Sequence, residues 1–290
     1  MIKHTLKKHP QNTFEFIIDI SWDEIEKEYK LAFDVILAEF SFEGFRKGKV
    51  PSAIGEKHIP KDKVYNQLLK TLLPRIYEDI IKKEGLKPII QPKIDIVKAK
   101  EKEEWQLKME VAEKPTVELG DFKKKIQALK ADKKKDEIWV PGKEKGEEPK
   151  EQAQAKQDKL LNETLALLLK EVKCDISPLL IEGEVEKRLT QLVDDVQKLG
   201  LTTEKYLQTK NLTIDKLKEQ YSKEITDMYK LEFILIDIAD KEGIKVEQTD
   251  MDKLFGNIAD AKERASARSN AYFYASILRK QKTLDFLMSL

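Results

Sequence analysis

The 290-residue chain has a single cysteine, Cys174, three histidines and six arginines among 54 basic residues. One thiol forms no intrachain disulfide and rules out a cysteine-based metal cluster. His4, His9 and His58 do not stand at a metal-ligand spacing from one another and read as surface histidines. Cys174 precedes a helix-like stretch with Asp175 as neighbour and has no local base, so it reads as a bystander thiol. There is no Rossmann fingerprint. "GFRKGK" resembles a phosphate loop only superficially. The Walker pattern needs four residues between its glycines and Ser or Thr after the lysine, whereas here three intervene and Val50 follows. No apolar run is long enough to span a bilayer, and MIKHTLKKHP lacks the apolar core of an export signal, so the expectation is a soluble cytoplasmic protein with no membrane contact. These absences leave no catalytic residues, no metal site and no cofactor to nominate.

Charge is plentiful: 37% of residues are Asp, Glu, Lys or Arg, yet the net charge is only +1. A polyanion would therefore find a local patch at most, not a uniformly basic surface. Along the chain, "TFEFIID" alternates around Phe14, Phe16 and Ile18 as a half-buried strand does, with "IKHTLKKH" as its hairpin partner. Ser21 and Glu24 have the spacing of a capping box. Ile25, Tyr29, Ala32, Phe33, Ile36 and Phe40 then share one helix face. A second helix carries Val64, Leu68, Leu72, Ile76 and Ile80 in register, with a kink expected at Pro74 and a stop at Gly85. "PIIQPKIDIVKAK" and "EEWQLKMEVAEKP" read as two strands joined at Lys100–Glu103.

The pattern then fails. Residues 116–157 are charged, poor in apolar side chains and punctuated by Pro141, Gly142, Gly146 and Pro149, as in a linker. Ile138, Trp139 and Val140 form an isolated apolar spot there, suited to docking on a domain or to a partner. From Lys159 onward the periodicity is helical throughout, with caps at Ser177 and Thr213 and stops at Gly200 and Gly243. The fold class is thus an α+β unit over 1–115, a charged linker over 116–157 and an all-α unit with arm-like helices over 158–290.

One loop stands out. "EGFRKGKVPSAI", residues 43–54, joins two helices and holds an aromatic ring among cations. Gly44 and Gly48 tolerate positive φ, so Phe45, Arg46 and Lys47 are forced to the tip, with Lys49 and Pro51 following. Arg46 can fork onto a carboxylate or phosphate, and an exposed ring among cations suits a recognition hot spot. The alternative, that Phe45 packs beneath its own loop and the cations are merely solvated, stays open on these grounds.

"GFRKGKVP" resembles the ribosome-docking motif of the trigger factor family of bacterial chaperones. The order strand, helix, loop, helix and two strands agrees with that family. "ISPLLIEGEVEKRL", "GLTTEKYLQ", "YKLEFILIDIADKEGIKVEQTDMD" and "SILRKQKTLDFL" resemble its helical chaperone domain. The resemblance implies a ribosome-associated, ATP-independent holdase that shields unfolded nascent polypeptides. It assigns Gly44, Phe45, Arg46, Lys47, Gly48, Lys49 and Pro51 to docking on the large ribosomal subunit, at a tunnel-exit ribosomal protein and adjacent rRNA. It also implies a weak homodimer. The family usually carries a peptidyl-prolyl isomerase domain between these halves, and 116–157 is too short and polar to build one, so no enzymatic activity is expected. Two alternatives remain: an isomerase with an atypical site, and an rRNA-binding ribosome-assembly factor. Near the C-terminus, apolar residues exceed what one helix face needs. Tyr272, Phe273, Leu278, Phe286 and Met288 are the candidates for client contact, beside a core role for most of that stretch.

Overall fold

The computed structural model describes residues 2–136 and 150–290. The chain divides into two units, one formed by Met1–Lys114 with Ser177–Leu180, the other by Pro115–Ile176 with Ile181–Leu290.

In the first unit, β1 (Ile2–His9) and β2 (Thr13–Ile20) form the expected hairpin, and β3 (Lys93–Lys98) and β4 (Trp105–Ala112) complete an antiparallel sheet of order β1-β2-β4-β3. The alternation of β2 and β4 is in phase. Phe16 faces Met109, Ile18 faces Leu107 and Ile20 faces Trp105 across the ladder. These side chains are almost wholly buried, so one face of the sheet is apolar and must be covered. The cover is α1 (Trp22–Glu39) and α3 (Lys61–Glu84), with the short α2 (Ser52–His58) between them. Val64, Leu68, Leu72, Ile76 and Ile80 are the buried residues of α3, as their four-residue spacing requires. Each contributes about 1.5–3 kcal/mol relative to exposure. The helix continues through Pro74 and stops at Gly85, whose φ of 66° is left-handed. Glu28 is buried on α1, and its Oε1 accepts a hydrogen bond from Arg75 Nη2 at 2.6 Å.

One expected cap is not made. Ser21 occupies the N-cap position of α1, but its side chain makes no capping hydrogen bond, and its carbonyl instead accepts from Glu24 N–H and Ile25 N–H. The cap at Ser177 does form, its hydroxyl accepting from Leu179 N–H at 3.3 Å. That hydroxyl also lies 2.7 Å from the hydroxyl of Thr13, and both residues are buried.

Among the described residues the second unit is helical apart from a short pair of strands, β5 (Val117–Glu118) and β6 (Lys173–Cys174). Its helices are α4 (Phe122–Asp136), α5 (Lys150–Glu171), α6 (Pro178–Lys198), α7 (Thr203–Thr209), α8 (Ile214–Lys241), α9 (Gln248–Gly256), α10 (Ala261–Ser269) and α11 (Ala271–Ser289). Within the stretch expected as a linker, 116–157, residues 122–136 form α4 and α5 begins at Lys150. Two apolar side chains, Phe122 and Ile126, bury its inner face. Its lysines hold the rest. Lys123 bonds Glu242 at 2.6 Å, Lys133 bonds Glu163 at 2.9 Å and Lys125 bonds Glu171. Lys130 Nζ donates to the carbonyls of Leu287 and Met288 at the end of α11. The apolar spot Ile138–Trp139–Val140 lies outside the described residues. Thr213 caps α8 through its side chain, which accepts from Lys216 N–H. Cys174 is buried.

Candidate functional site

The loop between α1 and α2 is built from two successive turns. Phe45 N–H donates to Phe42 O at 3.0 Å, and Lys49 N–H donates to Arg46 O at 2.9 Å. Gly44 and Gly48 take φ of 85° and 72°, the left-handed region that side chains disfavour. Gly48 is constrained further. Its N–H donates to Phe40 O at 3.1 Å, and a Cβ there would stand 2.5 Å from the Ala38 carbonyl oxygen. The loop is thereby pressed onto the last turn of α1. Gly55 does the same for α2, since a Cβ there would stand 2.6 Å from Leu37 Cδ1 and 3.1 Å from Phe33 Cζ.

Below the tip, Phe42 is half-buried between Phe40 and His58, its ring 4.5 Å from the imidazole. Val50 is buried on the far side. Phe45 is 40% exposed, and Arg46, Lys47 and Lys49 are exposed as well, with no ion pair to any described residue. Pro51 is the N-cap of α2. The seven residues thus lie together in the connection between α1 and α2, with Phe45 partly exposed.

The candidates on α11 separate into two groups. Tyr272 is 91% exposed and Phe273 59%, with Ile277 exposed one turn on. Leu278 instead packs on the cluster of Met251, Phe255 and Ala267. Phe286 is half-buried, with Lys123 Nζ 5.5 Å from its ring centroid, and Met288 is half-buried. Tyr272 also borders a groove of about 470 Å³ between α8 and α11, floored by Leu235, Ala239 and Ala275. Its rim is charged: Lys280 bonds Glu232 at 2.6 Å and Arg279 bonds Asp240 at 2.7 Å.

A larger cleft, about 700 Å³, lies in the first unit among α1, α2, α3 and the β3–β4 turn. Trp22, Tyr29, Phe33 and Tyr65 line it with rings. Sequence reading missed it. Trp22, Tyr29 and Phe33 recur at helical spacing, which reads as core, and nothing local announces that Tyr65 and Glu101 join them. Chemistry is otherwise sparse. His4 bonds Glu84 at 2.9 Å, His9 lies 3.4 Å from Glu15, and His58 stacks on Phe42. Among the described residues, no group of three or more His, Cys, Asp and Glu is placed to hold a metal ion, and no helix is long and apolar enough to cross a membrane.

Comparison with known proteins adds to this geometry. The family model described as "Bacterial trigger factor protein (TF)" matches residues 2–139, and that described as "Bacterial trigger factor protein (TF) C-terminus" matches 143–288. No isomerase-domain model matches. The trigger factor of Lactococcus lactis subsp. lactis (strain IL1403) is 36% identical over 113 residues, covering 39% of this chain and 26% of its own length. That of Streptococcus pneumoniae (strain Hungary19A-6) is 36% identical over 104 residues, covering 36% and 24%. The match thus spans about a quarter of the length of these curated relatives. A solved structure described as "Promiscuous Substrate Recognition in Folding and Assembly Activities of the Trigger Factor Chaperone" has a TM-score of 0.65, at 14% identity, over 99% of each chain. At that identity the likeness shows the fold alone.

Proposed function

The chain belongs to the bacterial trigger factor family, and from that premise we propose that it is an ATP-independent chaperone that docks on the large ribosomal subunit and shields unfolded nascent polypeptides. The observation that carries the reading is the loop tip: a ring and three cations held out by a pinned backbone, with no ion pair to any described residue. Phe45 fills an apolar niche, Arg46 forks onto phosphate or carboxylate, and Lys47 and Lys49 add point charge, at a tunnel-exit ribosomal protein and adjacent rRNA. Gly44, Gly48 and Pro51 shape the tip without needing to touch the partner.

Tyr272 and Phe273, beside the α8–α11 groove, offer apolar area to an unfolded chain. Contacts of this kind are individually weak, and tethering at the exit supplies effective concentration in place of affinity. Leu278, Phe286 and Met288 contribute from partly covered positions. Among the described residues no acid–base or nucleophilic arrangement stands out, which supports the reading of a cytoplasmic protein that acts by binding.

The test is co-sedimentation with ribosomes across salt concentrations. Phe45→Ala/Arg46→Ala/Lys47→Ala should lose about 30-fold or more in affinity, the scale of a hot-spot cluster, with an unchanged thermal melt. Wild-type binding should weaken steeply as salt rises. Undiminished binding by the triple variant would remove the assignment. A proline-limited refolding assay separates the enzymatic alternative: slowing at excess protein is expected, and acceleration at substoichiometric protein would contradict it. Binding to protein-free rRNA with no effect on unfolded clients would select the assembly-factor alternative.

A further inference from the structure

The cleft in the first unit has a composition that suits one kind of guest. Trp22, Tyr29 and Phe33 of α1 and Tyr65 of α3 line it together with rings. The rings are fixed from behind: Tyr65 packs on Tyr29 at 5.0 Å and on Trp105 at 5.5 Å. The polar lining is Glu26, Asp34, Glu56 and Glu101 against Lys30 and Lys61. Lys30 pairs with Glu26 at 3.4 Å and Lys61 with Glu101 at 3.0 Å. Asp34 and Glu56 are left over, both exposed and without an ion pair to any described residue. The surplus is felt inside. Burial raises the pKa of the Tyr29 phenol, and Glu101 and Glu56 add to the rise while Lys61 opposes it.

An aromatic wall with surplus carboxylate attracts a cation whose stem is apolar, which describes arginine and lysine side chains. The cleft is also longer than one side chain. From Trp22 to Asp34 the lining follows α1 for about 18 Å, the span of roughly five residues of extended chain. We infer that this cleft binds an arginine- or lysine-bearing stretch of an extended, unfolded polypeptide, the cation over the ring faces and between Asp34 and Glu56. The inference rests on the chaperone reading and adds to it a client contact on the same unit as the docking loop.

The probe is a fluorescently labelled blocked peptide, Leu-Ala-Arg-Ala-Leu, compared with the same peptide carrying citrulline, the uncharged isostere of arginine, and with one carrying glutamate. Anisotropy with the full chain should show the arginine peptide binding about tenfold more tightly than the citrulline peptide, with the glutamate peptide weakest. Asp34→Asn/Glu56→Gln should collapse the arginine preference to about twofold while ribosome co-sedimentation stays unchanged. A change in tryptophan emission on binding should disappear in Trp22→Phe. Equal binding of the arginine and citrulline peptides would overturn the inference. So would a preference that survives the double substitution, or loss of ribosome binding in that variant without loss of peptide binding. The two readings fail separately: if the triple loop variant still binds ribosomes while the arginine preference holds, docking falls and the cleft stands.

Discussion

The loop at 43–49 and the first turn of α11 both hold aromatic rings in solvent, by opposite means. In the loop, exposure follows from a fixed backbone, with two turn hydrogen bonds, Gly48 against the Ala38 carbonyl, and Phe42 stacked on His58. Phe45 has one place to be. On α11, exposure follows from composition, because Tyr272, Phe273 and Ile277 exceed what the helix can bury. Those side chains ride on an ordinary helix, Phe273 edge-on to Tyr274. A partner met by the first surface must fit a shape, whereas a partner met by the second needs only apolar area. A shape-specific contact and an unspecific apolar one are therefore compatible on one chain, because different physical constraints govern each.

The sharpest way to break this comparison is at the glycines. Gly48→Ala forces a side chain into left-handed backbone and against Ala38 O, so it should destabilise the first unit by about 1–3 kcal/mol in urea denaturation and lose ribosome binding. Gly44→Ala meets no atom within 4 Å and should cost about 1 kcal/mol, with docking largely kept. If the two variants behave alike, the loop is not pinned at Gly48.

A smaller effect is expected on α11. Tyr272→Ser/Phe273→Ser should leave stability within about 0.5 kcal/mol per site. The concentration needed to suppress aggregation of an unfolded client should rise roughly twofold to tenfold. A complete loss of suppression would mean that these two rings form a defined site rather than part of a diffuse surface.

The smallest effect concerns the frame behind α11. The Asp250 carboxylate accepts hydrogen bonds from Lys282 and from Glu247 N–H, which hold its pKa below the ordinary aspartate range. Folding therefore favours the ionised form. That contribution is present in full above about pH 5 and is lost as pH falls through the lowered native value. Asp250→Asn should lower the thermal midpoint slightly at neutral pH, and its difference from wild type should begin to shrink below about pH 4 and close only below the lowered native value. A difference that persists at low pH would assign the effect to packing instead of charge.

How much of this was legible in the chain depended on whether the driving contacts were local. The five-residue stripe of α3, the β1–β2 hairpin and the Thr213 cap are written in nearest-turn spacing, and each is found as read. The loop was legible because glycines bracket it. Helix α4 was not, since only Phe122 and Ile126 bury, and its remaining partners, Glu163, Glu171, Glu242 and the end of α11, lie far along the chain. The Ser21 cap was misread because the spacing allows a side-chain bond without requiring one, and the backbone carbonyl bonds Glu24 and Ile25 N–H itself. The aromatic cleft was invisible for the same reason as α4: its lining residues are separated in sequence and meet only through tertiary packing.

The buried pair of hydroxyls at Thr13 and Ser177 spans 164 positions. Translation delivers Thr13 early and Ser177 late, so the sheet-bearing unit reaches its final form only after most of the molecule has been made. A fragment cut at Lys114 would carry every strand of that sheet and still leave Thr13 without its distant partner. Truncations used to isolate the sheet-bearing unit should therefore include a tethered copy of 177–180.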